Sequence, residues 1–272
     1  MPRSVQMATR TASVTAMGVL DGVDLSAVGR WTVEVVDTTG STNADLAERA
    51  RTGAPGWTAL VAGEQTAGRG RLTRMWSSPQ GTSISLSVML RPTRPISEWG
   101  LIPLITGLGV ARAVESLGAQ AVLKWPNDVL LPADDERKVC GVLAEVVSGP
   151  TPGVVVGMGV NVSQVRDEFP VETATSLRLV GVTVTRPQVV RAVLGQLAEL
   201  YETWDTYGWA AVKSSYESVC VTLGRTVRVE LPAGTAVLGT ASSISDDGRL
   251  LVRTTSGEKA FAAGDVHHLR TV

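Results

Sequence analysis

The sequence predicts a larger domain of interleaved strands and helices over residues 31–220, followed by a small β-barrel over residues 221–272. Apolar runs of strand length alternate with two longer stretches of helical periodicity, Trp99–Leu117 and Gln188–Trp204. Near Cys220 the composition shifts to short β-rich runs punctuated by Pro232-Ala233-Gly234, Asp246-Asp247-Gly248 and Ser256-Gly257, the spacing of a small barrel. At 272 residues the chain is long enough for one large core and a smaller one.

Bulk properties exclude several classes of function. Lys and Arg total 25 against 26 Asp and Glu, so no overall field draws the chain to nucleic acid or a membrane, and any electropositive site is local. Cys140 and Cys220 lie far apart and fit no metal spacing, which suits a reduced, cytoplasmic setting. No run approaches the roughly 18 apolar residues of a membrane span. Residues 1–30, with Arg3 and Arg10 and no acid before Asp21, are expected to form a poorly ordered tail. They are too few for a helix-turn-helix domain, so specific DNA binding is not expected.

Trp31–Val36 alternates apolar and polar side chains and reads as a strand. Ser41 or Thr42 can cap the helix that follows, and Gly53 closes it. Thr58–Gly63 is a short apolar strand leading into Glu64–Trp76, which holds three Arg and two Gly between Gly68 and Arg74 and then Trp76. Such a connection is either a solvated basic loop or one that closes over an anion. Glycine lets backbone N–H groups approach an anion, and arginine offers a charged planar fork. Beyond it, Ile84, Leu86, Val88 and Leu90 alternate with Ser83, Ser85, Ser87 and Met89, the pattern of a half-buried antiparallel strand with one serine-lined face.

Trp99–Leu117 is expected as a buried helix with Pro103 in its first turn. Val122–Leu131 reads as strand, Pro-Asn-Asp turn and strand. Turn chemistry accounts for Pro126, Asn127 and Asp128 but not for Lys124 and Trp125 at the end of an apolar strand. After a charged loop at 132–137 come two more strands, Lys138–Val147 and Val154–Val162. The second is interrupted by Gly157 and Gly159, where glycine marks a bulge or a close approach. Asn161 sits among apolar neighbours and needs a partner, from the backbone or a ligand. His267 and His268 are adjacent, so on a strand they face opposite ways, which argues against a shared metal.

Ser41-Thr42-Asn43, the Gly68–Arg74 loop with Trp76, and Lys124-Trp125-Pro126-Asn127-Asp128 stand in an order that resembles the biotin–protein ligases, also called biotin–acetyl-CoA-carboxylase ligases. The family patterns are GRGRxGR followed by Trp, and KWPND. Lys138–Leu143 resembles the family's K-x-x-G-(I/V)-L strand and Gly157–Asn161 its G-x-G-x-N strand. The resemblance runs from about Trp31 to Leu269. It implies an α+β catalytic domain, a mixed sheet flanked by helices and related to class II aminoacyl-tRNA synthetases and lipoate ligases, with a C-terminal SH3-like β-barrel.

The reaction implied is formation of biotinyl-5′-AMP from biotin and ATP with Mg²⁺, then transfer to a lysine of a biotin carboxyl carrier domain of an acyl-CoA carboxylase. By position, Ser41, Thr42 and Gln65 would hydrogen-bond biotin, Gly68, Arg69 and Arg71 would cover its carboxylate and the phosphate, and Leu143 and Gly157 would line its pocket. Arg74 and Trp76 would face ATP. Lys124 would neutralise phosphate charge, Asn127 and Asp128 would shape the nucleotide site, Asp128 being the candidate metal ligand, and Asn161 would contact the nucleotide. Lys138 would sit between the biotin carboxylate and the α-phosphate; Lys138, Arg71 and Lys124 are thus the expected catalytic residues. A monomer or weak homodimer without DNA or membrane partners is expected. The chain departs from the pattern at Thr73, where the family has glycine, which bears on how the loop closes.

Two rival readings carry tests. A lipoate or octanoate ligase or transferase shares the fold, but the arginine-rich loop and KWPND favour biotin. A nucleic-acid-binding module on the barrel fits poorly, because Leu223–Val272 balances basic and acidic residues and has Phe261 as its only aromatic.

Overall fold

The computed structural model describes residues 19–71, 74–231, 235–262 and 265–269. Thr73, the Pro232–Gly234 turn and residues 1–18 of the expected tail lie outside them. In chain order the first strands are β1 (Val19–Leu20), β2 (Val23–Asp24), β3 (Ala27–Val28), β4 (Trp31–Thr39), β5 (Thr58–Gln65), β6 (Gly68–Arg69), β7 (Met75–Trp76) and β8 (Ser83–Leu90). The next are β9 (Val122–Lys124), β10 (Asp128–Leu131), β11 (Arg137–Val147) and β12 (Gly153–Asn161). The central sheet runs β3-β4-β5-β8-β12-β11-β10-β9, parallel at β4–β5 and antiparallel elsewhere, so it is mixed as expected.

Helices cover both faces. On one side α2 (Ile102–Ser116) and α3 (Arg186–Tyr207) pack on each other and enclose the main core. They cross closely at Gly109, where an added Cβ would come within 3.2 Å of the Leu197 backbone. On the other side α1 (Thr42–Arg51) lies across β8, β12, β11 and β5, with Leu46, Ala47 and Ala50 packed on Leu60, Met89 and Val155. α4 (Ala210–Glu217) leads to the C-terminal sheet of β13 (Thr226–Glu230), β14 (Ala236–Ile244), β15 (Leu250–Thr254), β16 (Gly257–Phe261) and β17 (Asp265–His268). Its order is β16-β15-β14-β13-β17, all antiparallel, and among the described residues β16 and β17 are not paired to close a barrel.

Two expectations are corrected. Residues 19–30 are not a frayed tail: Leu20 and Leu25 are buried in the main core and β3 forms the edge of the central sheet. Arg186 on α3 pairs with Asp21, and Arg191 donates to the Asp24 carbonyl, which ties this segment to the helix. β8 is buried along its whole length rather than on one face, because α1 and the segment before β8 cover the serines. Ser87 bonds to Thr42 and Asn43 of α1, and Ser83 bonds to Ser78, so burial leaves those hydroxyls partnered.

Candidate active site

The floor of the site is the β11–β12 pair, whose register sets Leu143 opposite Gly157 and Gly141 opposite Gly159. Side chains alternate along a strand, so Val156, Met158 and Val160 enter the main core while Gly157 and Gly159 face the opposite side. The register is continuous, so these glycines mark close approach, not a bulge. A Cβ on Gly157 would lie 2.3 Å from Asn43 Oδ1, and one on Gly159 would lie 2.3 Å from the Trp76 indole. On Gly141 it would meet the Lys138 ammonium at 2.9 Å. Asn43, Trp76 and Lys138 thus approach the floor closely where it is made of glycine.

At one end of this floor the N-terminus of α1 presents a polar cluster. Ser41 is the N-cap, with its hydroxyl toward the Ala44 N–H at 3.4 Å. The Thr42 backbone N–H donates to Gln65 Oε1 at 2.8 Å, with Thr42 Oγ1 3.0 Å from the same oxygen. Asn43 donates to the Leu143 carbonyl at 3.2 Å and to Glu145 Oε2 at 2.8 Å, and its Oδ1 accepts from Ser87 at 2.7 Å. Arg69 reaches the same Glu145 carboxylate at 3.4 Å.

Charge gathers at the other end. β6 and β7 pair Gly68 with Trp76 and Arg69 with Met75, and the Gly70 N–H donates to the Arg74 carbonyl at 2.7 Å. On either side of residues 72–73 the Gly/Arg connection is therefore paired as a short hairpin. Arg71 donates to Asn127 Oδ1 at 3.1 Å, while Asn127 Nδ2 donates to the Val142 carbonyl at 3.0 Å. Burial pulls the Arg71 pKa down, against the opposing attraction of Asp265 and Asp128. Lys138 pairs with Asp128 at 2.5 Å, and Lys124 stands opposite Asp128 in the β9–β10 register. Burial lowers the Lys124 pKa, Asp128 opposes that shift, and the nearby Lys138 adds to it. Such a lysine lacks enough negative charge around it, and an incoming anion would supply it. The Trp76 Nε1 has no hydrogen-bond partner among the described residues.

These parts line one cleft of about 1120 Å³, with six basic and four acidic side chains around it. Every site residue anticipated from the sequence lines it except Gly68. Gly68 is buried within the hairpin, where a Cβ would come within 2.5 Å of the Trp76 carbonyl and 2.8 Å of Gln65 Nε2. Asn161 lines the cleft, but its amide is engaged by the protein: Nδ2 donates to the Thr175 carbonyl at 2.9 Å and Oδ1 accepts from Gln164 at 3.1 Å.

Sequence reasoning missed the wall that the C-terminal sheet contributes. Asp265 pairs with Arg74, and Arg225 forms a two-pronged pair with Glu136 at 2.7 and 2.5 Å. Trp125, unexplained by turn chemistry, is buried and bridges the two sheets. Its backbone N–H donates to Thr222 at 3.0 Å and its indole N–H to the Gly248 carbonyl at 3.1 Å. The peptide bond from Trp125 to Pro126 is cis. His268 lies between Thr222, 3.1 Å from its Nε2, and Arg225, 3.2 Å from its Nδ1. Among the described residues no cluster of three or more His, Cys, Asp or Glu could hold a metal.

The chain is similar to known proteins along most of its length. The profile of the biotin/lipoate A/B protein ligase family matches residues 35–161, and that of the biotin protein ligase C-terminal domain matches residues 222–269. The biotin–[acetyl-CoA-carboxylase] ligase of Mycobacterium tuberculosis is 40% identical over 245 residues, covering 88% of this chain and 89% of that protein. The ligase of the same name from Paracoccus denitrificans is 33% identical over 252 residues, covering 84% and 97%. Among solved structures, a biotin protein ligase from Aquifex aeolicus in complex with biotin and ATP superposes with a TM-score of 0.73 at 31% identity, covering 88% of this chain and 99% of that one.

Proposed function

Because the chain belongs to the biotin–protein ligases, we propose that it activates biotin with ATP and delivers it to a carrier lysine through the cleft just described. A carboxylate oxygen of biotin attacks the α-phosphorus of ATP; the bond to the β-phosphate breaks, and pyrophosphate leaves. The ε-amine of a lysine on a biotin carboxyl carrier domain then attacks the acyl carbon, loses a proton and displaces AMP.

The observation that supports this best is the order of groups along β11. Polar side chains of α1, with Gln65, gather near Leu143, glycine flooring follows, and the ammonium of Lys138 lies at the far end. Biotin has the same order: a ureido head, an apolar body and a carboxylate tail. Thr42, Gln65 and the Ser41 hydroxyl take the ureido head, with Leu143, Gly157 and the buried Gly68 shaping its pocket. Lys138 holds the carboxylate against the α-phosphate, and Lys124 draws in the negative charge that its burial demands. Arg71, held by Asn127, and Arg69 close over the joined groups, while Arg74 and the free indole N–H of Trp76 face the nucleotide beside Asn161. Both steps shift charge onto oxygens, so prepositioned cations and donors lower both barriers.

Mg²⁺ usually binds through substrate phosphates and one or two carboxylates rather than a protein cage. Asp128, a carboxylate between two lysines at the charged end, suits that role; when bound, the ion would neutralise phosphate charge. ATP–pyrophosphate exchange with and without biotin tests the proposal. Exchange that needs biotin, and that lipoate does not support, is expected; exchange indifferent to biotin would refute it.

A further inference from the structure

Lys124 stands at the charged end of the cleft, yet among the described residues its ammonium has no short carboxylate pair of the kind Lys138 makes with Asp128. What fixes this side chain is the backbone it leaves from. One edge of β9 pairs with β10, and the other lies beside residues 219–222, which lead from α4 toward the C-terminal sheet. A parallel bridge joins Leu123 to Cys220. The Leu123 N–H donates to the Val219 carbonyl at 2.8 Å, and the Leu123 carbonyl accepts from the Val221 N–H at 2.9 Å.

Continued by one step, a parallel ladder would bring the Trp125 N–H to the Val221 carbonyl. That N–H goes instead to the Thr222 hydroxyl, at 3.0 Å. A side chain takes the place of a carbonyl, which leaves the main chain free to turn away toward β13. The Leu123 carbonyl belongs to the peptide plane before Lys124 and the Trp125 N–H to the plane after it, so residues 219–222 hold both planes. Trp125 and Thr222 are both buried, so an N–H without a partner there would be costly.

The Thr222 hydroxyl is itself held. Arg225 can only donate, so His268 Nδ1, 3.2 Å from Arg225 Nη1, accepts, and the ring carries its proton on Nε2. That N–H therefore donates to Thr222 Oγ1, 3.1 Å away. Both lone pairs of the hydroxyl are thus taken, one by Trp125 and one by His268. Arg225 is fixed in turn by its two bonds to Glu136.

We infer that Thr222 is a positioning residue for Lys124: its hydroxyl, set by His268, fixes the peptide plane after Lys124 and so aims the ammonium at the phosphates of ATP. This rests on the proposed ligase function and adds to it a residue that no motif marks. Thr222 does not line the cleft, so it acts only through its neighbours. The role also accounts for a fully buried threonine at the joint between the two sheets.

The test is biotin-dependent pyrophosphate exchange with Thr222→Val, which keeps the shape and removes the oxygen. Its kcat/KM for ATP should fall about 10-fold, the upper end of what one such hydrogen bond is worth, while the KM for biotin stays as in the wild type. Thr222→Ser keeps the oxygen and should restore wild-type kinetics. In a Lys124→Met background Thr222→Val should cause no further loss, because the side chain it positions is gone. If Thr222→Val folds poorly, His268→Phe carries the test. It frees the hydroxyl to rotate and should cost roughly 3-fold, the lower end of the same range, again only while Lys124 is present. Undiminished further losses in the Lys124→Met background would overturn the inference and leave Thr222 a purely structural role, as would wild-type kinetics in a folded Thr222→Val. Absence of biotin-dependent exchange in the wild type would instead refute the ligase reading itself.

Discussion

Arg71 Nη1 donates to Asn127 Oδ1 at 3.1 Å, so the Gly/Arg hairpin is fastened to the Pro-Asn-Asp turn 56 residues away. Asn127 is itself fixed by the Val142 carbonyl, which places the guanidinium against strand β11 rather than in solvent. Two motifs that look independent along the chain are therefore one mechanical unit. The half-buried Arg71 stays charged, since a guanidinium does not lose its proton in a protein.

That fastening predicts the behaviour of Arg71→Gly. The acyl-adenylate reacts with any amine and with water, so it must be held until the carrier arrives. Each charge-assisted bond lost is worth roughly 1.5–3 kcal/mol, and about 3 kcal/mol would speed escape by about 100-fold. Lys124 and Lys138 remain to support the first step. The variant, incubated with biotin, ATP and albumin and blotted with streptavidin, should label albumin. Unlabelled albumin with continuing pyrophosphate exchange would remove Arg71 from the retaining contact.

Lys124 and Lys138 flank one carboxylate, that of Asp128. Changing either to Met should cut biotin-dependent pyrophosphate exchange by about 100-fold, as for loss of one charge-stabilising donor, while the far-UV circular dichroism stays native. Because burial lowers the Lys124 pKa, the alkaline limb of kcat/KM for ATP should fall at lower pH than an ordinary lysine allows. In Lys124→Met the residual activity should lose that limb.

The floor glycines separate the two substrates. Gly157→Ala would push its methyl into Asn43, so the KM for biotin should rise by about 10-fold or more with little change for ATP. Gly159→Ala would displace Trp76 and should raise the KM for ATP instead. Parallel steady-state titrations of both substrates distinguish these outcomes; an equal effect of each variant on both KM values would contradict the layout.

His268 makes folding sensitive to acid. Burial, then the nearby Lys124 and Arg225, pull its pKa down from 6.5 to about 4, against a weaker opposing pull from Glu136, and the Arg225 N–H requires Nδ1 to accept. The unfolded chain takes up a proton first, so this contribution is complete above about pH 6.5 and lost as the pH falls toward 4. Urea unfolding should show a loss of no more than about 2 kcal/mol between pH 7.5 and 5, given partial exposure of the ring. His268→Asn should flatten that part of the profile, and an unchanged slope would show that His268 is not the group responsible.

Much of the architecture was legible because strand alternation, helix periodicity and capping are local. Ser41 caps α1 as its place before an amphipathic run requires, and the site residues that the family resemblance singled out line the cleft, Gly68 excepted. Glycines inside β12 pointed to a bulge or a close approach, and only the register and the neighbouring side chains decided for the second. The half-buried reading of β8 failed because alternation records chemistry and not coverage: serines look solvated until α1 lies over them. Residues 19–30 looked like a tail because Leu20 and Leu25 are too sparse to show a period.

The sequence by itself determined most of the longer elements, the order of the motifs and the chemistry they carry, since each depends on neighbours a few residues away. Only the tertiary structure decided that Trp125 serves as a bridge between sheets, that Asp265 and His268 stand at the cleft, and that Glu145 anchors Asn43. Those roles rest on pairings between groups distant in the chain, and a charge or hydroxyl acquires its function from the partner that folding brings to within 3 Å or so.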